Sequence, residues 1–252
     1  MPRTFLVRHA ESTSNASKIV SGQEGEVPLT PFGHAQAIET GGRLSKEIAG
    51  PVKIVSSPLE RAHHTANYIA TALGVHHNSI IIDRGLIERH FGHLEGSDEG
   101  VLKKLAKNGI DPNWRPVGGE SLKDVQDRAL SVVDSLHSEY PTHNLVIVSH
   151  GQTIKSILNR YVGTWRSRFT RTGNAEVREI PRIQNEDYNM FFHAWRCKEC
   201  GHTWVAQKDQ EGEMCHACPG GKGEVFESLA DTLIWRALYL EDKDSDLSLP
   251  IH

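Results

Sequence analysis

Residues 4–10 of the chain read TFLVRHA, a short apolar run that ends in an arginine and a histidine. Residues 144–151, NLVIVSHG, repeat this arrangement with a still more apolar run that ends at His150. Short apolar runs of this length are typical of buried β-strands, and the segments between them carry apolar residues at helical spacing. We therefore predict an α/β fold, a three-layer sandwich in which helices cover a mostly parallel central sheet.

Local start signals divide the rest of the chain into further elements. Thr30, an N-cap residue, and Pro31 at the first helical position predict a helix that runs to about Ile48. Ser121 followed by Asp124 predicts the start of another helix. The other predicted elements are strands at Lys53–Ser56, Ser79–Ile82 and 233–241 (LIWRALYLE), and helices that begin at Pro58 and Gly151.

A set of polar residues follows the predicted strands. Ligand sites of parallel sheets form beyond the carboxyl ends of the strands, so we expect Arg8, His9 and His150 to lie together. A neutral imidazole is a competent nucleophile near pH 7, and arginine is a permanently charged fork that matches phosphate. Arg61 and Glu88 would add a second cation and an acid for the leaving group, as phosphoryl transfer requires. A surface position for Arg61 and an ordinary salt bridge for Glu88 are the alternatives.

Taken together and in order, seven segments resemble the histidine phosphatase superfamily, which includes cofactor-dependent phosphoglycerate mutases and many phosphatases. They span roughly residues 3–180 and read LVRHAESTSN, SGQEGEVPLTPFG, SSPLERAHHTA, LIERHFGHLEG, GGESLKDVQDRAL, VSHGQTI and TGNAEVREI. The resemblance implies a catalytic set in which His9 becomes phosphorylated, Arg8, Arg61 and His150 hold the phosphate, and Glu88 donates the proton. It also implies contacts to phosphate or substrate at Asn15, Ser21, Gly22 and Gly151.

Two features distinguish this chain from relatives of that kind. Ala10 stands where the family usually has glycine, and we expect this to be tolerated unless the backbone there needs a positive φ. The mutases carry a longer, basic insert after the segment that contains Glu88. Here that connection is short, and its basic residues Lys103, Lys104, Lys107 and Arg115 are offset by Asp98, Glu99 and Asp111. A phosphatase is therefore the favoured activity, with a mutase that uses the same residues as the alternative.

Four cysteines form two C-x-x-C pairs near the end of the chain, Cys197 with Cys200 and Cys215 with Cys218. Four thiolates suit a tetrahedral Zn²⁺ site of the closed, structural kind. We predict a zinc-ribbon-like insertion at 189–227, within a histidine phosphatase-like domain made of 1–188 and 228–252. Iron bound by the same four ligands, disulfides and free thiols are the alternatives. The resemblance implies no metal for catalysis.

Composition limits the partners. The chain has 252 residues, a net charge of −4, no apolar run long enough for a membrane span and no secretory signal pattern, so the cytoplasm is the expected location. Residues 190–227 hold four basic side chains against six acidic ones, which disfavours nucleic acid. We expect a phosphorylated small molecule as substrate, and a homo-oligomer is compatible with the sequence. A non-enzymatic module that docks a protein or a nucleic acid through the ribbon is the remaining alternative.

Overall fold

The structure is a computed structural model. It describes residues 2–23, 26–106, 111–162, 172–180 and 182, together with the backbone of three strands at 192–197, 203–207 and 223–226. Contacts divide the chain into two compact units, one made of Met1–Arg160 with Thr164–Arg182 and the other of Tyr161–Gly163 with Ile183–His252. The domain boundaries at 188 and 227 stay predictions.

A five-stranded sheet forms the centre of the first unit. Its strands are β1 (Thr4–Arg8), β2 (Val52–Ser56), β3 (Ile81–Ile82), β4 (Asn144–Ser149) and β5 (Val177–Ile180). They lie in the order β3-β2-β4-β1-β5. The pairings β1–β4, β2–β4 and β2–β3 are parallel, whereas β5 runs antiparallel to β1 at the edge. The predicted α/β fold with a mostly parallel sheet is therefore confirmed, and the sheet is mixed.

Helices connect the strands, and two of them begin as their capping residues predict. The helices of the described part are α1 (Thr13–Ala16), α2 (Pro31–Glu47), α3 (Glu60–Ala72), α4 (Gly100–Ala106), α5 (Leu122–Glu139) and α6 (Gly151–Val162). The Gly33 amide donates to the Thr30 hydroxyl at the start of α2. Ser121 and Asp124 form a capping box at the start of α5. The Asp124 amide donates to the Ser121 hydroxyl, and the Ser121 amide donates to the Asp124 carboxylate.

Three predicted elements differ from the structure or lie outside it. Helix α3 begins at Glu60 rather than at Pro58, because the Leu59 amide donates to the Ser57 hydroxyl in a local turn while Leu59 is still extended. The third strand is shorter than predicted, since 77–79 form a 3₁₀ turn and only Ile81–Ile82 pair with β2. The last predicted strand, 233–241, lies outside the described residues.

Both faces of the sheet are covered. Side chains of a strand alternate between faces, and Phe5 and Val7 pack with Leu44 of α2 and Ile69 of α3 in one apolar cluster. On the opposite face, the Thr4 hydroxyl lies 3.0 Å from Nε2 of His137 in α5. Every residue of β4 is buried, as expected for a central strand with helices on both sides.

The second unit contains a three-stranded antiparallel sheet. Its strands are β6 (Phe192–Cys197), β7 (Thr203–Gln207) and β8 (Gly223–Phe226), in the order β7-β6-β8, and Cys197 lies opposite Gly223. Of the predicted metal ligands, Cys197 ends β6, and Cys200, Cys215 and Cys218 lie outside the described residues. Across the side chains that are described, no group of three or more His, Cys, Asp or Glu is placed to hold a metal ion. The described helices include none that is long and apolar enough to cross a membrane.

Candidate active site

The carboxyl ends of β1 and β4 bring two histidines together. The register pairs Arg8 with Ser149, and the His9 amide donates to the Ser149 carbonyl at 2.9 Å. His9 and His150 therefore follow neighbouring strands at the same edge, and their ring centroids are 5.1 Å apart. Both rings are buried, with 3% of His9 and none of His150 exposed.

His9 is held as a neutral ring with a defined tautomer. Its Nδ1 lies 2.7 Å from the Ala10 carbonyl, which can only accept, so the proton is on Nδ1 and the lone pair is on Nε2. Burial lowers the pKa of His9 well below its usual value, and the charges of Arg61 and Arg8 lower it further. Positive φ values among described non-glycine residues occur at Lys18 and Ala175, so Ala10 fits here without backbone strain.

Arg8 and Arg61 bring two guanidinium groups to the same edge. Arg8 donates from Nη1 to the Thr172 carbonyl at 2.8 Å, while its Nε is buried with no partner. Arg61 is 2% exposed and donates from Nη2 to the Gly22 carbonyl at 2.8 Å. Burial lowers the pKa of each arginine, and the negative charge of Glu88 opposes that shift. Two positive charges in a site that excludes water attract an anion strongly.

His150 presents a second unpartnered nitrogen. Its Nε2 lies 2.7 Å from the Ser57 hydroxyl, whereas its Nδ1 is buried without a partner. Burial lowers the pKa of His150 well below its usual value, and Arg61, His9 and Arg8 add to the shift. Buried polar atoms in folded proteins are nearly always paired, so His150 Nδ1 and Arg8 Nε are the atoms at this edge with hydrogen-bonding capacity to bind an anion.

Glu88 lies at the start of α6. Its carboxylate accepts from the Arg89 amide at 2.8 Å and, at 3.3 Å each, from the Gln152 and Thr153 amides of the first helical turn. An acidic group at this position is favoured by the helix dipole and lies within electrostatic range of both arginines. The Arg128 guanidinium fixes the backbone of this segment through the Glu88 carbonyl.

The four predicted substrate-contacting residues lie in or beside this site with different roles. Asn15 accepts through Oδ1 from Ser12 and Asn174, so its amide NH₂ is the group left for an anion. Gly22 has φ +49° and supplies the carbonyl that holds Arg61. A Cβ on Gly151 would lie 3.5 Å from the Arg8 guanidinium carbon, which places the start of α6 against that cation. Ser21 directly precedes Gly22 in the same loop.

Comparison with known proteins decides the family. A sequence model described as "Histidine phosphatase superfamily (branch 1)" matches residues 4–197. The chain belongs to the histidine phosphatase superfamily. Among its relatives, phosphoglycerate mutase-like protein 4 of Arabidopsis thaliana is 30% identical over 193 residues, which cover 74% of this chain and 77% of that protein. The probable phosphoglycerate mutase GpmB of Salmonella paratyphi C (strain RKS4594) is 30% identical over 208 residues, which cover 80% of this chain and 93% of that protein.

The solved structures that resemble this chain include those of a phosphatase. The mycobacterial glucosyl-3-phosphoglycerate phosphatase in complex with VO3 matches with a TM-score of 0.64 and 25% identity, covering 73% of this chain and 93% of that one. The same phosphatase with inorganic phosphate matches with a TM-score of 0.58 and 25% identity, covering 72% and 90%. The neighbours thus include proteins named as mutases and as a phosphatase.

Several residues of this histidine phosphatase site carried no signal of their own in the sequence. Asn174 donates from Nδ2 to the His9 carbonyl at 3.1 Å and to Asn15, which ties β1 to the segment before β5. Ser57 contacts His150, and Arg128 spans from Glu120 to the Glu88 backbone. All three fall inside the quoted family segments, but their partners are distant in sequence and only the fold reveals them.

Proposed function

We propose that this chain is a phosphatase that hydrolyses a phosphomonoester through a phosphohistidine intermediate on His9. The observation that carries the proposal is the pair of buried, unpartnered nitrogens, Arg8 Nε and His150 Nδ1, beside a neutral histidine whose Nε2 holds the lone pair. These groups suit a phosphoryl group. Its oxygens can accept hydrogen bonds from the site while the histidine nitrogen attacks phosphorus.

The reaction takes place in two balanced steps. His9 Nε2 forms a bond to phosphorus as the ester P–O bond breaks, and Glu88 gives its proton to the departing alkoxide. Water then attacks the phosphohistidine, the P–N bond breaks, and the proton of that water returns to Glu88 as inorganic phosphate leaves. Arg8, Arg61 and His150 hold the equatorial oxygens in both steps, and no metal ion takes part in the chemistry.

Hydrolysis is favoured over mutase chemistry because the described cations near Glu88 already have internal partners. Arg89 is buried and donates to the Glu120 and Trp114 carbonyls, and its guanidinium lies 5.5 Å from the Trp114 ring. Arg128 donates to Glu120 and to backbone carbonyls, and Arg115 pairs with Asp124. A mutase must hold a second acidic group of its substrate, and these arginines are committed elsewhere.

The decisive experiment compares wild type with His9→Ala on p-nitrophenyl phosphate and on a panel of phosphorylated metabolites. We expect wild type to release phosphate and His9→Ala to lose at least about 10³-fold in kcat with the fold unchanged by circular dichroism. His76→Ala, a substitution of an exposed histidine, is the matched control. Near-normal turnover by purified His9→Ala would refute the mechanism. Isomerisation of phosphoglycerate without net phosphate release would instead identify a mutase.

We further propose that Cys197, Cys200, Cys215 and Cys218 bind one structural Zn²⁺. The support is the donor set of four thiolates together with the backbone of the second unit, in which the end of β6 at Cys197 lies beside the start of β8 at Gly223. One pair of cysteines thus falls at the β6–β7 connection and the other shortly before β8.

Elemental analysis of the purified chain should give about one zinc per molecule, and a Cys200→Ser/Cys215→Ser double variant should lose it. Zinc removal that abolishes activity without unfolding would argue for a catalytic metal.

A further inference from the structure

Ser57 and His150 meet because they follow adjacent parallel strands. The register pairs Ser56 of β2 with Val148 of β4, and the Ser57 amide donates to the Val148 carbonyl at 3.0 Å. The chain leaves each strand at this point, and the Ser57 hydroxyl comes within 2.7 Å of His150 Nε2. Neither residue has any exposed surface, so water does not compete for these atoms.

The hydrogen positions in this pair follow from counting donors and acceptors. Ser57 Oγ already accepts the Leu59 amide hydrogen at 3.3 Å. If His150 Nε2 also donated to Ser57, the serine hydrogen would need another acceptor, and the hydrogen bonds of the described residues include none for it. A buried hydroxyl donor left unpaired costs about 1–3 kcal/mol, so the arrangement in which Ser57 donates to Nε2 is favoured.

The tautomer of His150 is the consequence. A neutral imidazole that accepts at Nε2 carries its proton on Nδ1, and Nδ1 is the buried atom that has no partner. Phosphate oxygens accept hydrogen bonds, so a proton on Nδ1 turns His150 into a donor toward the phosphate. The opposite tautomer would direct a lone pair at those oxygens and repel them.

We propose that Ser57 is a positioning residue that fixes His150 as the Nδ1–H tautomer and thereby makes it a donor to the phosphoryl group. The kinetic part of this proposal rests on the proposed function, whereas the tautomer itself does not. Ser57 acts through His150, and among the described residues no hydrogen bond joins it to His9.

The direct test is the ¹⁵N NMR spectrum of the full chain labelled at histidine, with His150→Gln to assign the His150 signals. We expect ligand-free wild type to show a protonated Nδ1 and an unprotonated Nε2 at pH 7.5. Ser57→Ala should move the population toward Nε2–H, and Ser57→Thr, which retains the hydroxyl, should restore the wild-type pattern. A His150 that is Nε2–H in wild type, or unchanged in Ser57→Ala, would overturn the proposal.

Kinetics and ligand binding extend the test. Ser57→Ala should lower kcat by about ten-fold or more and weaken binding of inorganic phosphate about ten-fold, because one hydrogen bond to a charged group is lost. Ser56→Ala, which removes the neighbouring buried hydroxyl that bonds to the Ser57 carbonyl, should keep kcat within about two-fold. Equal losses in Ser56→Ala and Ser57→Ala would show a merely structural effect. If wild type neither binds phosphate nor hydrolyses esters, the proposed function fails, and the NMR result still decides the tautomer.

Discussion

At the scale of the residue, two neighbouring histidines have opposite proposed roles because a different ring nitrogen of each one has a hydrogen-bond partner in the fold. A carbonyl acceptor holds Nδ1 of His9, which leaves the Nε2 lone pair for attack. The Ser57 hydroxyl contacts Nε2 of His150, which leaves Nδ1 available to a ligand. Burial and the neighbouring arginines lower the pKa of both rings, so neither competes for protons near neutral pH. In the proposed mechanism the same side chain therefore supplies a nucleophile at one strand end and a phosphate ligand at the next.

The proposed role of Glu88 as proton donor can be tested with leaving groups of different basicity. An alkoxide must be protonated as it leaves, whereas p-nitrophenolate is stable without a proton. We therefore expect Glu88→Gln to lower kcat on an alkyl phosphate by about 10²–10³-fold and on p-nitrophenyl phosphate by less than about ten-fold. Steady-state kinetics on both esters provides the measurement. A uniform loss on the two substrates would assign Glu88 to holding the α6 amides alone.

At the scale of the element, the loop before Gln23 positions Arg61. Gly22 has φ +49°, and a Cβ there would approach the Glu95 carboxylate oxygen to 2.0 Å. Its carbonyl accepts from Arg61, and Glu95 also accepts the Gln23 amide at 3.2 Å. Any side chain at this position must displace either Glu95 or the carbonyl that holds the guanidinium.

Gly22→Ala should therefore weaken catalysis through Arg61. We expect a loss of about ten-fold or more in kcat/KM, together with about 1–2 kcal/mol of stability from the positive φ. Gly96→Ala is the matched control, since Gly96 has φ +81° with no atom within 4 Å of a Cβ, so it adds the backbone strain alone. Kinetics and thermal melts of both variants test this. Identical kcat/KM for Gly22→Ala and wild type would show that Arg61 does not depend on this loop.

The same scale explains what could be predicted from sequence. Helix starts at Thr30 and Ser121 depend on contacts three residues apart, so local chemistry predicts them. Arg8, His9 and His150 were predicted to meet because the carboxyl ends of parallel strands share an edge. Strand β5 was missed because its four residues pair with β1 across most of the chain, and no local pattern marks that pairing. The Ser57–His150 contact is hidden for the same reason.

At the scale of the whole molecule, four histidines whose pKa is lowered by burial link stability to pH. His9, His63, His137 and His150 all have lowered pKa values, with burial as the first cause, and the pKa of His137 falls to about 4. The unfolded chain protonates these rings near pH 6.5, while the folded chain does not. Below that pH the unfolded state binds more protons, so the folded state loses stability as the pH falls.

We therefore expect the free energy of unfolding to fall as the pH drops from about 7 to 5, most steeply below pH 6.5, by up to about 1.4 kcal/mol per pH unit for each histidine that only the unfolded chain protonates. His137, which is partly exposed and bonds to Thr4 on the face of the sheet opposite α2 and α3, contributes less than that limit.

His137→Gln should make the pH dependence shallower without changing kcat, because the residue lies in α5, away from the phosphate site. Urea unfolding at several pH values, followed by circular dichroism, measures both slopes. A wild-type stability that is flat from pH 7.5 to 5 would contradict the burial of neutral histidines, and equal slopes in the two proteins would remove His137 from the set.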